Sequence, residues 1–163
     1  MSNKKICMLG GFSVGKTSLV GQYVDSIFSD KYLSTVGVKI SKKEIVLDNA
    51  TITLVLWDIE GRDVFSSVNL AYLRDSAGIL VVADGMRKET LDTAVALRKA
   101  AREIAGDVPC FFVVNKADLF EQWEVTDAML APLSSEGARV FRTSAKTGAG
   151  FDEALRCLAQ LMA

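Results

Sequence analysis

The 163-residue sequence contains no histidine. Imidazole is therefore excluded as catalytic base, metal ligand or pH sensor, and the Ser-His, Cys-His and His-metal mechanisms are excluded with it. Only two prolines and three cysteines occur. Cys7, Cys110 and Cys157 are far apart, odd in number and set in apolar runs, which fits small core hydrophobes in a reducing compartment rather than a disulfide framework. Excess charge of one sign is also missing. The 19 Lys and Arg against 20 Asp and Glu leave a net charge of −1, too little positive charge for general nucleic-acid binding. No apolar run approaches the roughly 20 residues that span a bilayer. Met1 to Lys5 lead straight into a strand-like run without a signal-peptide core, Ser2 stands where myristoylation needs glycine, and Cys157 lies too far from the end for prenylation. The expectation is a cytoplasmic monomer with no direct membrane anchor and no nucleic-acid partner.

Half of the residues are apolar and 24% are charged, a globular profile for one domain spanning residues 1–163. Brief apolar runs at Ile6–Leu9, Ile52–Trp57, Ala77–Ala83, Cys110–Val114 and Val140–Thr143, bounded by Gly, Asp, Asn or Ser, read as strands buried on both faces. Helical stripes lie between and after them: Leu91, Ala94, Val95, Leu97, Ala101 and Ile104, then Phe151, Ala154, Leu155, Leu158 and Leu161. Val38–Leu47, with Lys42, Lys43 and Glu44, reads as a solvated edge strand that turns at Asp48-Asn49 to pair antiparallel with Ile52–Trp57. The pattern predicts an α/β fold with a six-stranded, mostly parallel sheet, helices on both faces and a ligand at the carboxyl ends of the strands.

Gly10-Gly11-Phe12-Ser13-Val14-Gly15-Lys16-Thr17 follows the first strand and opens a helix, the one context in which G-x-x-x-x-G-K-[ST] has a mechanism. Glycines let the backbone turn so that N–H groups from Ser13 through Ser18 converge on one anion, aided by the positive end of the helix. Lys16 supplies a charge for the β and γ phosphates, and the Thr17 hydroxyl suits Mg²⁺. This predicts a P-loop NTPase fold, without choosing between kinase, ATPase and GTPase.

The choice of base comes from Asn115-Lys116-Ala117-Asp118, which ends the next-to-last strand. The Asp118 carboxylate can accept from both N1–H and the exocyclic amine of guanine, whereas adenine would leave it desolvated and unpaired. Rejection of that kind reaches about 10⁴ to 10⁵. Ser144-Ala145-Lys146 closes the last strand at the same edge and reads either as a second wall of the base pocket or as a plain turn. An ATP-using phosphotransferase is opposed by Asn115 to Asp118 and by the lack of a lid-like, Arg-rich insertion. The two Trp residues, Trp57 and Trp123, read as packing.

These segments, in this order and spacing, resemble the Ras superfamily of small GTPases from about Lys5 to Met162. Ser34-Thr35-Val36-Gly37-Val38, Leu56-Trp57-Asp58 and Tyr72 to Ser76 look most like its Rab branch. The resemblance implies a switch that binds GTP and GDP with Mg²⁺, hydrolyses GTP, and is served by effector, exchange and GTPase-activating proteins. It also implies roles for single residues. Phe28 would lie on the guanine face, Tyr32 would cover the phosphates, and Thr35 would join Thr17 on Mg²⁺ when a γ-phosphate is present. Asp58 would hold the ion through water, and the Gly61 N–H would meet the γ-phosphate.

The sequence departs from the family pattern on the hydrolytic side. Asp58-Ile59-Glu60-Gly61-Arg62 carries Arg62 where the family has a water-orienting Gln. An amide both accepts and donates, but a guanidinium only donates. Arg62 reads either as a cation that stabilises developing charge or as an exposed loop residue; in both cases slow intrinsic hydrolysis is expected. Glu60 sets a carboxylate near the γ-phosphate, where it either tunes the site or turns outward. Phe12 replaces a small residue and stands in the way of an arginine delivered by a partner. A guanine-nucleotide-binding module with negligible turnover is the alternative function.

Overall fold

The computed structural model describes residues 2–24, 31–33, 38–60 and 65–162. The strands are β1 (Ser2–Gly10), β2 (Lys31–Leu33), β3 (Val38–Val46), β4 (Thr51–Ile59), β5 (Gly78–Asp84), β6 (Cys110–Asn115) and β7 (Val140–Arg142), of which β4, β5 and β6 are short runs rich in β-branched or aromatic residues. The helices are α1 (Lys16–Val24), α2 (Ser67–Ala71), α3 (Glu89–Ala105), α4 (Asp127–Ser135) and α5 (Phe151–Met162). The strands form one sheet in the order β2-β3-β4-β1-β5-β6-β7. From β4 to β7 neighbours run parallel, whereas β3 is antiparallel to β4 and β2 to β3. Crossover helices between parallel strands place their ends, and the loops that follow, along one edge.

The six strands expected from sequence are all present, and the three-residue β2 extends the sheet by a seventh. It pairs Lys31 with Ile40 and Leu33 with Val38, at the start of β3, and among the described residues only β4 pairs with the charged Lys42 to Glu44 stretch. The β3–β4 hairpin forms in the expected register, Val46 opposite Thr51, with the Leu47 N–H donating to the Ala50 carbonyl.

Alternation along β1 divides the core. Ile6 and Met8 join Leu80, Val82, Phe111 and Val113 under α1 and α5, while Cys7 and Leu9 join Ile79, Val81, Phe112 and Val114 under α3 and α4. Every residue of β5 is buried, because helices cover both of its faces. On α3 the stripe narrows to Leu91, Ala94, Leu97 and Ala101. Val95, Ile104 and Leu161, counted as core-facing from periodicity, are instead exposed. Val95 sits about 100° round the helix from Ala94, on the flank, and the other two fall in last turns. Cys7 is buried and Cys110 and Cys157 partly so, all as free thiols. Among the described residues no helix is long and apolar enough to cross a membrane.

Candidate functional site: a phosphate-loop cavity and the loops behind it

The turn from β1 into α1 holds two residues with positive φ, Ser13 at 61° and Gly15 at 100°. At Gly15 the backbone passes so close to Asn115 that a Cβ would stand 2.3 Å from its side-chain nitrogen, so no other residue fits. Residues 12–18 line a cavity of about 600 Å³ completed by Lys39, Asp58, Glu60 and Lys116. Lys16, in the first turn of α1, is only 6% exposed. Burial pushes its ammonium below the usual lysine range, against the opposing pull of Asp58 and Glu60.

Asp58 stands near the end of β4, 5% exposed. The Thr17 hydroxyl donates to its Oδ2 at 2.5 Å. Burial pushes the carboxyl up although Lys16, the Thr17 hydroxyl and Lys39 all pull it down. Lys39 lies directly across the β3–β4 ladder from Asp58. The cavity thus desolvates one cation and one carboxylate without fully compensating either. Such a site favours a ligand that brings both signs, as a phosphate chain with a divalent cation does. Glu60 lines the same cavity and is exposed, so its carboxylate keeps its hydration while still acting on Lys16.

At the end of β6, Asn115 is 2% exposed and ties three segments together. Its Nδ2 donates to the Val14 carbonyl at 3.1 Å, and its Oδ1 accepts from the Ala145 N–H at 3.2 Å and the Thr143 hydroxyl at 3.3 Å. Asp118, in the 3₁₀ turn Ala117–Gln122, accepts from the Ser144 hydroxyl at 2.7 Å. The Asn115–Asp118 and Ser144–Lys146 segments are therefore joined at one edge. Of these residues Lys116 reaches the cavity wall; Asp118 and Lys146 are exposed alongside it. Lys116 adopts a left-handed conformation, φ 73°. Its ammonium lies 2.8 Å from Asp84.

Trp123 packs as expected and does something further. Its indole N–H donates to the Lys116 carbonyl at 2.7 Å, and its ring lies so close over Gly85 that a Cβ there would stand 2.1 Å away. Trp57 packs on the other side of the sheet from Asp58, its ring 5.8 Å from that of Tyr72 and under the Lys5 ammonium.

Of the other residues expected in the site, Phe28, Thr35, Gly61 and Arg62 lie outside the described residues, and Tyr32 falls in β2, where the backbone alone is described. Sequence reasoning missed Lys39, Asp84 and Arg87. Asp84 was detectable as a carboxylate ending a strand at the ligand edge. It is fully buried; burial pushes it up, but Lys116, the Met86 N–H and Arg87 outweigh that and hold it below the usual carboxylate range.

A family model described as Ras family matches residues 5–163. The chain is similar to Ras-related protein Rab-4 of Dictyostelium discoideum, with 34% identity over 161 residues, covering 97% of this chain and 78% of that protein. It is also similar to Ras-related protein Rab-13 of Canis lupus familiaris (30% identity, 96% of this chain and 78% of that protein). Ras-related protein Rab-8B of Homo sapiens is 29% identical, over 96% of this chain and 76% of its own length.

Proposed function

The chain belongs to the Ras family, whose members are GTP-binding switches, and from that premise we propose that it is one Rab-like G domain over residues 1–163. In this reading it binds GTP and GDP with Mg²⁺ and hydrolyses GTP slowly. The observation that carries it is the coexistence at one sheet edge of the buried Lys16 in the cavity lined by residues 12–18 and of Asp118 beside Ser144.

In this assignment the N–H groups from Ser13 to Ser18 and the Lys16 ammonium bind the β and γ phosphates. Asp118 selects guanine, Ser144, Ala145 and Lys146 complete the base pocket, Phe28 covers the base face, and Tyr32 closes over the phosphates. Asn115 and Lys116 hold the base loop against the phosphate loop. The Thr17 hydroxyl and the buried Asp58 carboxylate make a hard-oxygen pair, a donor set that fits Mg²⁺. Together with Thr35 they would hold the ion, Asp58 through water. Bound there, Mg²⁺ supplies charge neutralisation at the phosphates. Thr35 and the Gly61 N–H would sense the γ-phosphate, so that both of their loops are ordered while GTP is bound and released when it is hydrolysed.

Slow turnover follows from Arg62, which has no acceptor with which to orient water. A finger arginine from an activating protein would meet Phe12, 54% exposed at the cavity wall. Phe12, Glu60 and Arg62 together also support a second reading, a nucleotide-binding interaction module with negligible turnover. Two measurements test these readings. Nucleotide released on denaturing the purified protein should be GDP or GTP; adenine nucleotide there would overturn the proposal. Single-turnover phosphate release from GTP-loaded protein then separates a slow switch from an inert module.

A further inference from the structure

The phosphate loop contains Ser13 at φ 61°, a conformation that L residues other than Asn and Asp rarely hold and that favours glycine. Something must keep it there, because the loop N–H groups converge on an anion only in that conformation. The carbonyls on either side of the Ser13 α-carbon, those of Phe12 and of Ser13 itself, both accept from Arg87 Nη2, each at 3.0 Å. Arg87 Nε in turn donates to Asp84 Oδ2 at 3.0 Å. The guanidinium fork therefore spans from a fully buried carboxylate to both carbonyls that flank the strained residue.

Arg87 is itself fixed from below. Its N–H donates to the Asp84 carbonyl at 3.0 Å, and its carbonyl accepts from the buried Thr90 hydroxyl at 2.6 Å. The same hydroxyl accepts from the Asp84 N–H at 2.8 Å. The turn after β5 is thus locked before it reaches the phosphate loop, and Asp84 also holds Lys116 of the base loop.

We propose that Arg87 is a positioning residue for phosphate binding: it holds Ser13 in the left-handed conformation, and so holds the loop N–H groups in register for the nucleotide's phosphates. The inference rests on the reading of the cavity as a guanine-nucleotide site. It assigns to Arg87 no contact with the nucleotide, since Arg87 is not among the described residues that line the cavity.

The test is a two-by-two comparison of Arg87→Met, which keeps the stem and removes the fork, with and without Ser13→Gly. The readout is release of a fluorescent GDP analogue from the Mg²⁺-loaded protein into excess GDP. Arg87→Met should accelerate release about tenfold when Ser13 is present, the equivalent of one strained left-handed residue set free. When Ser13→Gly is also present, the ratio between Met and Arg at position 87 should fall below about two, because glycine holds positive φ without help. A merely structural loss would persist in both backgrounds. Unchanged release in Arg87→Met, or acceleration that Ser13→Gly does not relieve, overturns the inference while leaving the nucleotide reading standing. Wild-type protein that holds no guanine nucleotide overturns both.

Discussion

The two halves of the candidate site are built in opposite ways. On the Asn115 side, the Asn115 amide holds Val14, Thr143 and Ala145, and the Ser144 hydroxyl donates to Asp118. On the phosphate side, Lys16 and Asp58 are both nearly inaccessible and both pushed by burial toward their neutral forms. The first arrangement is held by the protein's own hydrogen bonds; in the proposed reading the second would be completed by a ligand that supplies phosphate oxygens to Lys16 and a cation to Asp58.

Exchanging the recognition element should have the largest effect. Asp118→Asn replaces an acceptor for the guanine 2-amino group with an amide that donates to the 2-oxo group of xanthine. The ratio of GTP to xanthosine triphosphate binding should shift by about 10⁴ or more in competition assays. A variant that keeps its guanine preference would break the assignment of the base side. Next is Lys16→Ala, which removes the buried cation; calorimetric titration should find GDP bound at least a hundredfold more weakly, roughly two charge-assisted hydrogen bonds.

Asn115→Ala probes the preformed half without any ligand. It leaves the Val14 carbonyl and the Ala145 N–H without their partner, at a cost of about 2–3 kcal/mol, or roughly 5–10 °C in the melting temperature of a chain this size. If nucleotide-free protein melts unchanged, the base side is not preorganised and the comparison fails. The smallest effect is on chemistry. Arg62→Gln should raise single-turnover GTP hydrolysis several-fold, on the order of 1 kcal/mol of barrier, with little change in GTP affinity. Arg62→Ala should be neutral; if both variants are slower than wild type, Arg62 is a cation acting in the transition state.

Much of the fold was legible because its strands are short apolar runs and its helices α3 and α5 carry clear stripes. The strand β2 was not, since three residues hold no periodicity and Lys31–Leu33 is a strand only by pairing with β3. The helix α4 was hidden too: Pro132 lies inside it, and its start is marked only by Thr126, whose hydroxyl accepts from the Met129 N–H. Within the site, Lys16, Thr17, Asn115 and Asp118 could be read because each stands at a fixed offset from a strand end, whereas Asp58 came from the family resemblance. Lys39 enters the cavity wall through cross-strand register, and Arg87 through the path of the turn after β5, neither of which leaves a spacing signature.

By itself the sequence determined which groups are available: the absence of histidine, one loop able to gather N–H groups, one carboxylate suited to guanine, and, against the family it resembles, Arg62 in place of a Gln. The tertiary structure decided how those groups are held and at what cost. Asn115 serves as a three-way tether only because β6 ends beside both the phosphate loop and the loop after β7. Ser13 stands at positive φ, and a guanidinium 74 residues away in sequence reaches its carbonyl. Local chemistry is written in residue order, but desolvation and long-range hydrogen bonds depend on which segments the sheet brings side by side.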